Sequence, residues 1–134
     1  MRTMLQFASD THMNAPAHLD DTKASETLDV LIEFVSTLLP VNDDKYPAIR
    51  HFSRDQTVEF CLRHSALHFS KTAGRLAAYV EEADHGRYAD IQILQSIVAA
   101  SIVNSLKLAD EIGISGPDIM EQIRDKFAQR EAEE

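Results

Sequence analysis

Apolar residues recur every three or four positions along most of this chain, and strict alternation of apolar and polar residues does not occur. Such spacing places apolar side chains along one side of an α-helix, whereas a half-buried β-strand needs alternation. The four glycines and four prolines fall almost entirely between the periodic stretches, so they separate helices. The sequence therefore predicts an all-α protein of four main helices.

The chain of 134 residues is long enough for a single domain with an ordinary core. Residues 1–24 show no sustained apolar period and contain Pro16, so we predict a flexible N-terminal segment. Residues 25–134 are predicted to form one helical domain. Its first helix is expected to begin near Ser25 and to end before Pro40, because proline disfavours helical backbone in the residue before it.

A second, longer helix is predicted from about Arg54 to Glu82. Ser53, followed three residues later by Gln56, matches a capping box, in which each side chain bonds the backbone N–H of the other residue. One arc of this helix is apolar along its whole length, and we expect it to face the core. This apolar arc consists of Val58, Leu62, Ala66, Phe69, Ala73, Leu76, Ala77 and Val80.

The third helix is predicted from about Tyr88 to Ile112, with Gly113 suited to a left-handed helix end. Its middle is apolar on nearly all sides, as in a central helix, but it is interrupted by Gln and Ser and is expected to be too short to span a bilayer. A fourth helix is expected to begin at Pro117. Together these features predict a four-helix bundle-like fold with two long antiparallel central helices. A homodimer or higher homo-oligomer is expected, because one chain cannot cover the third helix.

Charge and cysteine content exclude several partners and sites. Thirteen Lys and Arg against 22 Asp and Glu give a formal charge of −9, which disfavours DNA and anionic membranes as partners. The single cysteine, Cys61, excludes an internal disulfide and a multi-cysteine zinc site. Because the first residues lack a signal-peptide-like apolar stretch, we expect a cytoplasmic protein.

The sequence contains no glycine-rich phosphate loop, nucleophile elbow, paired CxxC or HExxH motif. One row of cationic and imidazole side chains stands out on the second helix, and we call it the basic stripe: His64, His68, Lys71 and Arg75. Their spacing places them in one sector of the helix, where they can hold phosphate or carboxylate oxygens. The stripe is a candidate binding site for an anion or nucleotide; the alternative is a solvated face opposite the apolar arc.

Two histidines of the basic stripe also have a spacing that is found in metal sites. His64 and His68 have the spacing of two ligands on one helical face, with His51 or Asp84 as candidates for a third. Carboxylates with magnesium-like spacing arise by chance in acid-rich helices, so neither a metal nor another cofactor is predicted. These carboxylates are Glu26, Asp29, Glu81 and Asp84.

The chain resembles the MazG-like, all-α nucleoside triphosphate pyrophosphohydrolase superfamily over about residues 25–130. The segment SRDQT at 53–57 is similar to the family's helix opening, KTAGRLA at 71–77 to its EExGELA block, and LADEIGI at 108–114 to its usual ending. The resemblance implies a dimeric helical bundle whose central cleft accommodates a nucleotide.

The resemblance also implies where magnesium ligands would lie, and this sequence departs from the family there. Family members that hydrolyse nucleotides hold magnesium with Glu-x-x-Glu on one helix and Glu-x-x-Asp on the next. The matching positions hold Thr72, Arg75, Ile97 and Ala100, and a shift of one turn puts His68 and Lys71 at the first pair. We therefore expect a MazG-like protein that binds a nucleotide or another phosphorylated small molecule without metal-dependent pyrophosphohydrolysis.

Two alternatives belong to other functional classes. Arg63 and His68 match the Arg-x4-His pattern of HEPN ribonucleases, and this similarity implies metal-independent RNA cleavage in which the histidine transfers a proton and the arginine stabilises charge. The other alternative is a non-catalytic protein-interaction module whose stripe packs on a partner.

Overall fold

The computed structural model describes residues 20–87 and 90–133, which form four α-helices and one short 3₁₀ helix. The helices are α1 (Asp21–Leu38), α2 (Arg54–Asp84), α3 (Ile91–Ile112) and α4 (Gly116–Glu133), and the 3₁₀ helix spans Pro47–His51. No strand occurs in the two described ranges. The all-α prediction is thereby confirmed for this part of the chain.

The ends of the helices follow local capping signals. The predicted capping box is present at the start of α2: the Ser53 N–H donates to Gln56 Oε1 at 2.9 Å, and the Gln56 N–H donates to Ser53 Oγ at 3.2 Å. Gly113 ends α3 in the left-handed conformation with φ of 73°, as predicted.

Helix α1 begins at Asp21, four residues before the predicted start at Ser25. The side chain of Asp20 caps it by accepting the N–H of Thr22 at 3.1 Å, and an acceptor at this position satisfies an otherwise unpaired donor. The rest of the predicted N-terminal segment, residues 1–19, lies outside the described residues. So does the predicted start of the third helix at Tyr88.

Helices α2 and α3 pack side by side, and α1 packs against both α3 and α4. The pair α2–α3 is antiparallel: Ser65 near the start of α2 bonds Glu111 near the end of α3, and Arg75 further along α2 bonds Ser96. The connector between α1 and α2 lies along the first turns of α2, where Tyr46 contacts Phe60. This connector forms one wall of the site described below.

The apolar arc of α2 does not face the core of the chain, contrary to the sequence prediction. Val58, Leu62, Leu76 and Val80 are exposed, as are the three alanines of the arc. The side of α2 that meets α3 instead buries Cys61, Ser65 and Thr72. Periodicity identified an apolar row correctly, but it could not show which face of the helix a neighbour would cover. The buried apolar core of the described residues is small: Val35, Cys61, Ile97, Leu106 and Ala109.

The whole of helix α3, 22 residues long, is long and apolar enough to cross a membrane by length and composition, although its apolar middle alone is shorter than a bilayer crossing needs. The same composition is found in central helices of water-soluble bundles. In this structure the polar residue Asn104 lies in the middle of the contact between α3 and α2, where its Nδ2 donates to Thr72 Oγ1 at 2.9 Å.

Candidate functional site

A cavity of about 360 Å³ lies between α2, α3 and the connector that follows α1. Most of its wall is apolar, and its polar groups come from all three elements. A concave, mainly apolar pocket with a few convergent polar groups is the usual form of a small-molecule site. The lining residues are Leu39, Val41, Lys45, Tyr46, His64, Ser65, His68, Ala99, Ala100, Val103, Asn104, Lys107 and Glu111.

In this cavity the side chains of Tyr46 and His68 both lie within hydrogen-bond distance of one nitrogen of His64. The Tyr46 hydroxyl lies 3.1 Å from His64 Nε2, and His68 Nε2 lies 3.0 Å from the same atom. An imidazole nitrogen either donates one hydrogen or accepts through one lone pair, so His64 Nε2 makes one full hydrogen bond at a time. Either the Tyr46 hydroxyl or His68 Nε2 is therefore left without a full hydrogen bond to His64, and that group can bond a ligand in the cavity. A proton added to the two histidines would supply a further N–H donor.

Aromatic packing fixes the position of the His64 ring. The Phe60 ring stacks on it with centroids 5.6 Å apart and an interplanar angle of 14°. The Tyr46 ring meets both edge-on, at 5.3 Å from Phe60 and 5.1 Å from His64. The spacing of four residues along α2 brings Phe60, His64 and His68 into line, and Pro47 begins the 3₁₀ helix directly after Tyr46.

A second polar group closes the α3 side of the cavity. Glu111, whose side chain is only 5% exposed, lies 3.4 Å from Lys107 Nζ through Oε1 and accepts the Ser65 hydroxyl at 2.9 Å through Oε2. Lys107 also lies 3.6 Å from Asp110. Both oxygens of the buried carboxylate are therefore partnered, as a buried charge requires. This arrangement makes Glu111 a structural anion rather than an open metal ligand.

Cys61 lies one turn before Ser65 on the same side of α2. Burial raises the pKa of its thiol, and the nearby Glu111 carboxylate raises it further. A thiol with a raised pKa remains protonated at neutral pH and is a poor nucleophile. The structure therefore gives Cys61 a packing role beside the cavity.

The structure divides the basic stripe into two parts. His64 and His68 line the cavity, whereas Lys71 is exposed and outside its lining. Arg75 donates to Ser96 Oγ at 3.0 Å across the α2–α3 contact. The stripe thus borders the contact with α3, and His68, Lys71 and Arg75 remain exposed to solvent.

The ribonuclease alternative depends on Arg63 and His68. Within one chain these two side chains point in different directions. The Arg63 guanidinium lies 3.9 Å from Glu59, and its side chain is 65% exposed and outside the cavity lining. His68 points into the cavity beside His64.

Within residues 20–87 and 90–133, no group of three or more His, Cys, Asp and Glu side chains is arranged to hold a metal ion. Asp29, one of the acids with magnesium-like spacing, accepts the N–H of Gly116 at 2.6 Å and so joins α1 to the start of α4.

The four positions matched to the family's magnesium ligands lie on the two helices that pack together. Thr72 bonds Asn104, Arg75 bonds Ser96, Ile97 is buried, and Ala100 lines the cavity. None of these four side chains carries a carboxylate.

Tyr46, Lys107 and Glu111 were not predicted as site residues. They are distant from the stripe in sequence, and the segment LADEIGI at 108–114, which contains Glu111, was not predicted to line a site. Comparison of the chain with protein-family models, curated proteins and solved structures gives no match.

Proposed function

We propose that this protein binds a nucleotide or another phosphorylated small molecule in the cavity, without metal-dependent hydrolysis. The observation that carries the proposal is the pair of imidazoles, His64 and His68, whose Nε2 atoms lie 3.0 Å apart on the wall of an apolar cavity. Imidazole N–H groups on this wall can donate hydrogen bonds to an anion that enters the cavity.

The remaining lining suits the rest of such a ligand. Lys45 and Lys107 supply positive charge at the rim and on the α3 wall, although part of the Lys107 charge is balanced by Glu111. The apolar wall formed by α3 and the end of α1 offers a surface for a base or another nonpolar body. The ligand class is therefore an organic anion with a flat or compact apolar part.

The proposal includes a MazG-like scaffold that has lost its magnesium ligands. In support of it, the positions matched to those ligands hold Thr72, Arg75, Ile97 and Ala100, and the nearest buried carboxylate, Glu111, is already partnered on both oxygens. An enzyme that uses magnesium to activate water needs open carboxylates, and the described residues offer none in this cavity.

A thermal-shift screen tests the proposal. Inorganic phosphate, nucleoside monophosphates and nucleoside triphosphates are compared, each with magnesium and with a chelator. A ligand that binds only the folded protein at about 100 times its dissociation constant adds about 2.7 kcal/mol of stability, which gives a clear rise in Tm. We expect a rise that persists in the chelator.

The variant His68→Ala should weaken binding by about 10- to 100-fold, the value of one charge-assisted hydrogen bond. Arg63→Ala is the matched control, because Arg63 lies on the same helix but outside the cavity lining. A shift that appears only with magnesium, or release of pyrophosphate, would contradict the proposal. RNA cleavage lost in both variants would instead support the ribonuclease alternative.

A further inference from the structure

Two imidazole nitrogens and one phenolic oxygen lie close together on the wall of the cavity. His64 Nε2 is 3.0 Å from His68 Nε2 and 3.1 Å from the Tyr46 hydroxyl. The two imidazole rings are inclined at 70° with centroids 4.6 Å apart, so their Nε2 atoms are nearer to each other than the ring centres are. All three side chains line the cavity. Their polar atoms therefore approach one common point.

Hydrogen bonds alone cannot satisfy these three atoms. A neutral imidazole nitrogen carries either one hydrogen or one lone pair, so His64 Nε2 cannot make full bonds to both of its neighbours. A metal ion can satisfy all three, because imidazole nitrogens and oxygen atoms each direct a lone pair at the ion. Each ring then carries its hydrogen on Nδ1, as neutral histidine ligands do. The convergence of these atoms is that of a ligand set.

We infer that His64, His68 and Tyr46 form a binding site for a divalent transition-metal ion such as Ni²⁺ or Cu²⁺. The ligands are the two Nε2 atoms and the Tyr46 oxygen, and water fills the other positions. Imidazole nitrogen suits these ions, whereas Mg²⁺ prefers carboxylate oxygens and water. The cavity of about 360 Å³ has room for the ion and several waters, since one water takes about 30 Å³.

The distance between the two nitrogens indicates the coordination geometry. With metal–nitrogen bonds of about 2.0–2.1 Å, two nitrogens 3.0 Å apart subtend an angle of about 94° at the ion. Neighbouring ligands in square-planar and octahedral sites are about 90° apart, and Cu²⁺ and Ni²⁺ prefer such geometries. A tetrahedral Zn²⁺ site, with angles of about 109°, would need the same nitrogens about 3.3 Å apart.

The third ligand differs from those that the sequence suggested. Neither His51 nor Asp84 lines the cavity. Asp84 lies 16 residues beyond His68 on α2, which is about 24 Å along the helix. Tyr46 occupies the third position because the connector that follows α1 lies along the first turns of α2.

Packing holds two of the three ligands in place. The Phe60 ring stacks on His64, and the Tyr46 ring contacts both rings edge-on. Ligands that are already positioned lose little conformational entropy when the ion binds. His68 is exposed, so its ring can adjust to the ion without disturbing the core.

The charges around the cavity do not oppose a cation. Lys107 Nζ lies 3.6 Å from Asp110 and 3.4 Å from Glu111, so these three groups carry one net negative charge. That charge offsets the ammonium of Lys45, which is exposed to water at the rim. The chain as a whole carries a formal charge of −9, which raises the local concentration of cations.

Calorimetric titration of the tag-free full chain with Ni²⁺, in a buffer without phosphate, tests the inference. Loss of a residue that only supports a metal ligand costs about 10- to 100-fold in affinity, so His68→Ala and His64→Phe should each raise the dissociation constant by at least about 100-fold. His64→Phe keeps an aromatic ring against Phe60, and circular dichroism checks that both variants fold. Tyr46→Phe should bind Ni²⁺ less tightly than the wild type but more tightly than either histidine variant.

The other histidines of the chain provide matched controls. His51 and His85 are exposed and outside the cavity lining, so replacing either by alanine should change the Ni²⁺ dissociation constant by no more than about twofold. The same is expected for His12→Ala and His18→Ala. Electron paramagnetic resonance of the Cu²⁺-loaded protein should show two nitrogen ligands in the wild type and one in His68→Ala.

Several results would overturn the inference: no Ni²⁺ binding by the wild type, binding of Zn²⁺ but not Ni²⁺, or unchanged affinity in His68→Ala, His64→Phe or Tyr46→Phe. An equal loss of affinity in His51→Ala or His85→Ala would also overturn it. The inference does not rest on the proposed function, because the ion and an anionic ligand are alternative occupants of the same nitrogens. Ni²⁺ binding without any nucleotide shift leaves the metal site standing and removes the proposed function, and a nucleotide shift in chelator without Ni²⁺ binding does the reverse.

Discussion

Adding one methyl group at Gly116 should destabilise the protein, because this glycine lies where α4 meets α1. A Cβ on Gly116 would overlap the carbonyl oxygen of Ser25 and come 3.0 Å from Asp29 Oδ1. The obstacle is backbone, which cannot rotate away as a side chain can. The start of α4 would have to move outward by about 1 Å, the amount needed to restore an ordinary contact.

Two contributions set the size of the expected destabilisation. Overpacking of a close contact costs about 1–3 kcal/mol. The displacement would also weaken the hydrogen bond from the Gly116 N–H to Asp29 Oδ1, now 2.6 Å long, which costs about 1–3 kcal/mol more when the donor stays buried. We expect Gly116→Ala to lower the free energy of unfolding by about 2–5 kcal/mol, a large part of the usual 5–15 kcal/mol.

Gly74→Ala provides a control with the same chemical change. Gly74 lies inside α2, and an added Cβ there would meet nothing within 4 Å. Alanine in a helix interior is better than glycine by about 0.5–1 kcal/mol, so this variant should be more stable than the wild type.

Urea unfolding followed by circular dichroism, at one protein concentration for all three proteins, measures both changes. The two variants should differ from the wild type in opposite directions. A Gly116→Ala protein within about 0.5 kcal/mol of the wild type would refute the close approach of α4 to α1.

Three further predictions concern single side chains. Ser65→Ala leaves Glu111 with one partner fewer and should cost about 1–3 kcal/mol in urea unfolding. Hydrogen bonds from Ser115 lower the pKa of Asp118 in the folded protein. The ionised carboxylate therefore stabilises the fold at pH values above the pKa of Asp118 in the unfolded chain. The difference in stability between the wild type and Asp118→Asn should vanish as the pH falls through the lowered pKa of the folded protein. Because the pKa of the Cys61 thiol is raised by burial and by Glu111, its reaction with Ellman's reagent at neutral pH should be much slower in the folded protein than in urea.

The helices and several of their ends could be predicted because their signals are local. A capping box needs only Ser53 and Gln56, three residues apart, and a left-handed helix end needs only Gly113 after the last turn. The start of α1 was missed by four residues because the cap at Asp20 lies in a stretch without an apolar period.

The candidate site was predicted in part. His64 and His68 stand four residues apart on one helix, so periodicity alone places them together. Tyr46 is 18 residues from His64, and Glu111 is 46 residues from Ser65. No local pattern connects residues so far apart, and only the packing of the connector and α3 on α2 brings them to one cavity.

The sequence alone determined that this chain is helical, where most helices end, and that α2 has one apolar arc, since all of these depend on contacts within four residues along the chain. The tertiary structure decided which side of α2 meets α3. It placed Ser65 and Thr72 inside the pair and left the apolar arc of α2 exposed, because the Ser65–Glu111 and Thr72–Asn104 bonds join positions that only helix packing brings close. That choice formed the cavity around His64 and His68 on one side of α2 and left its apolar arc uncovered on another.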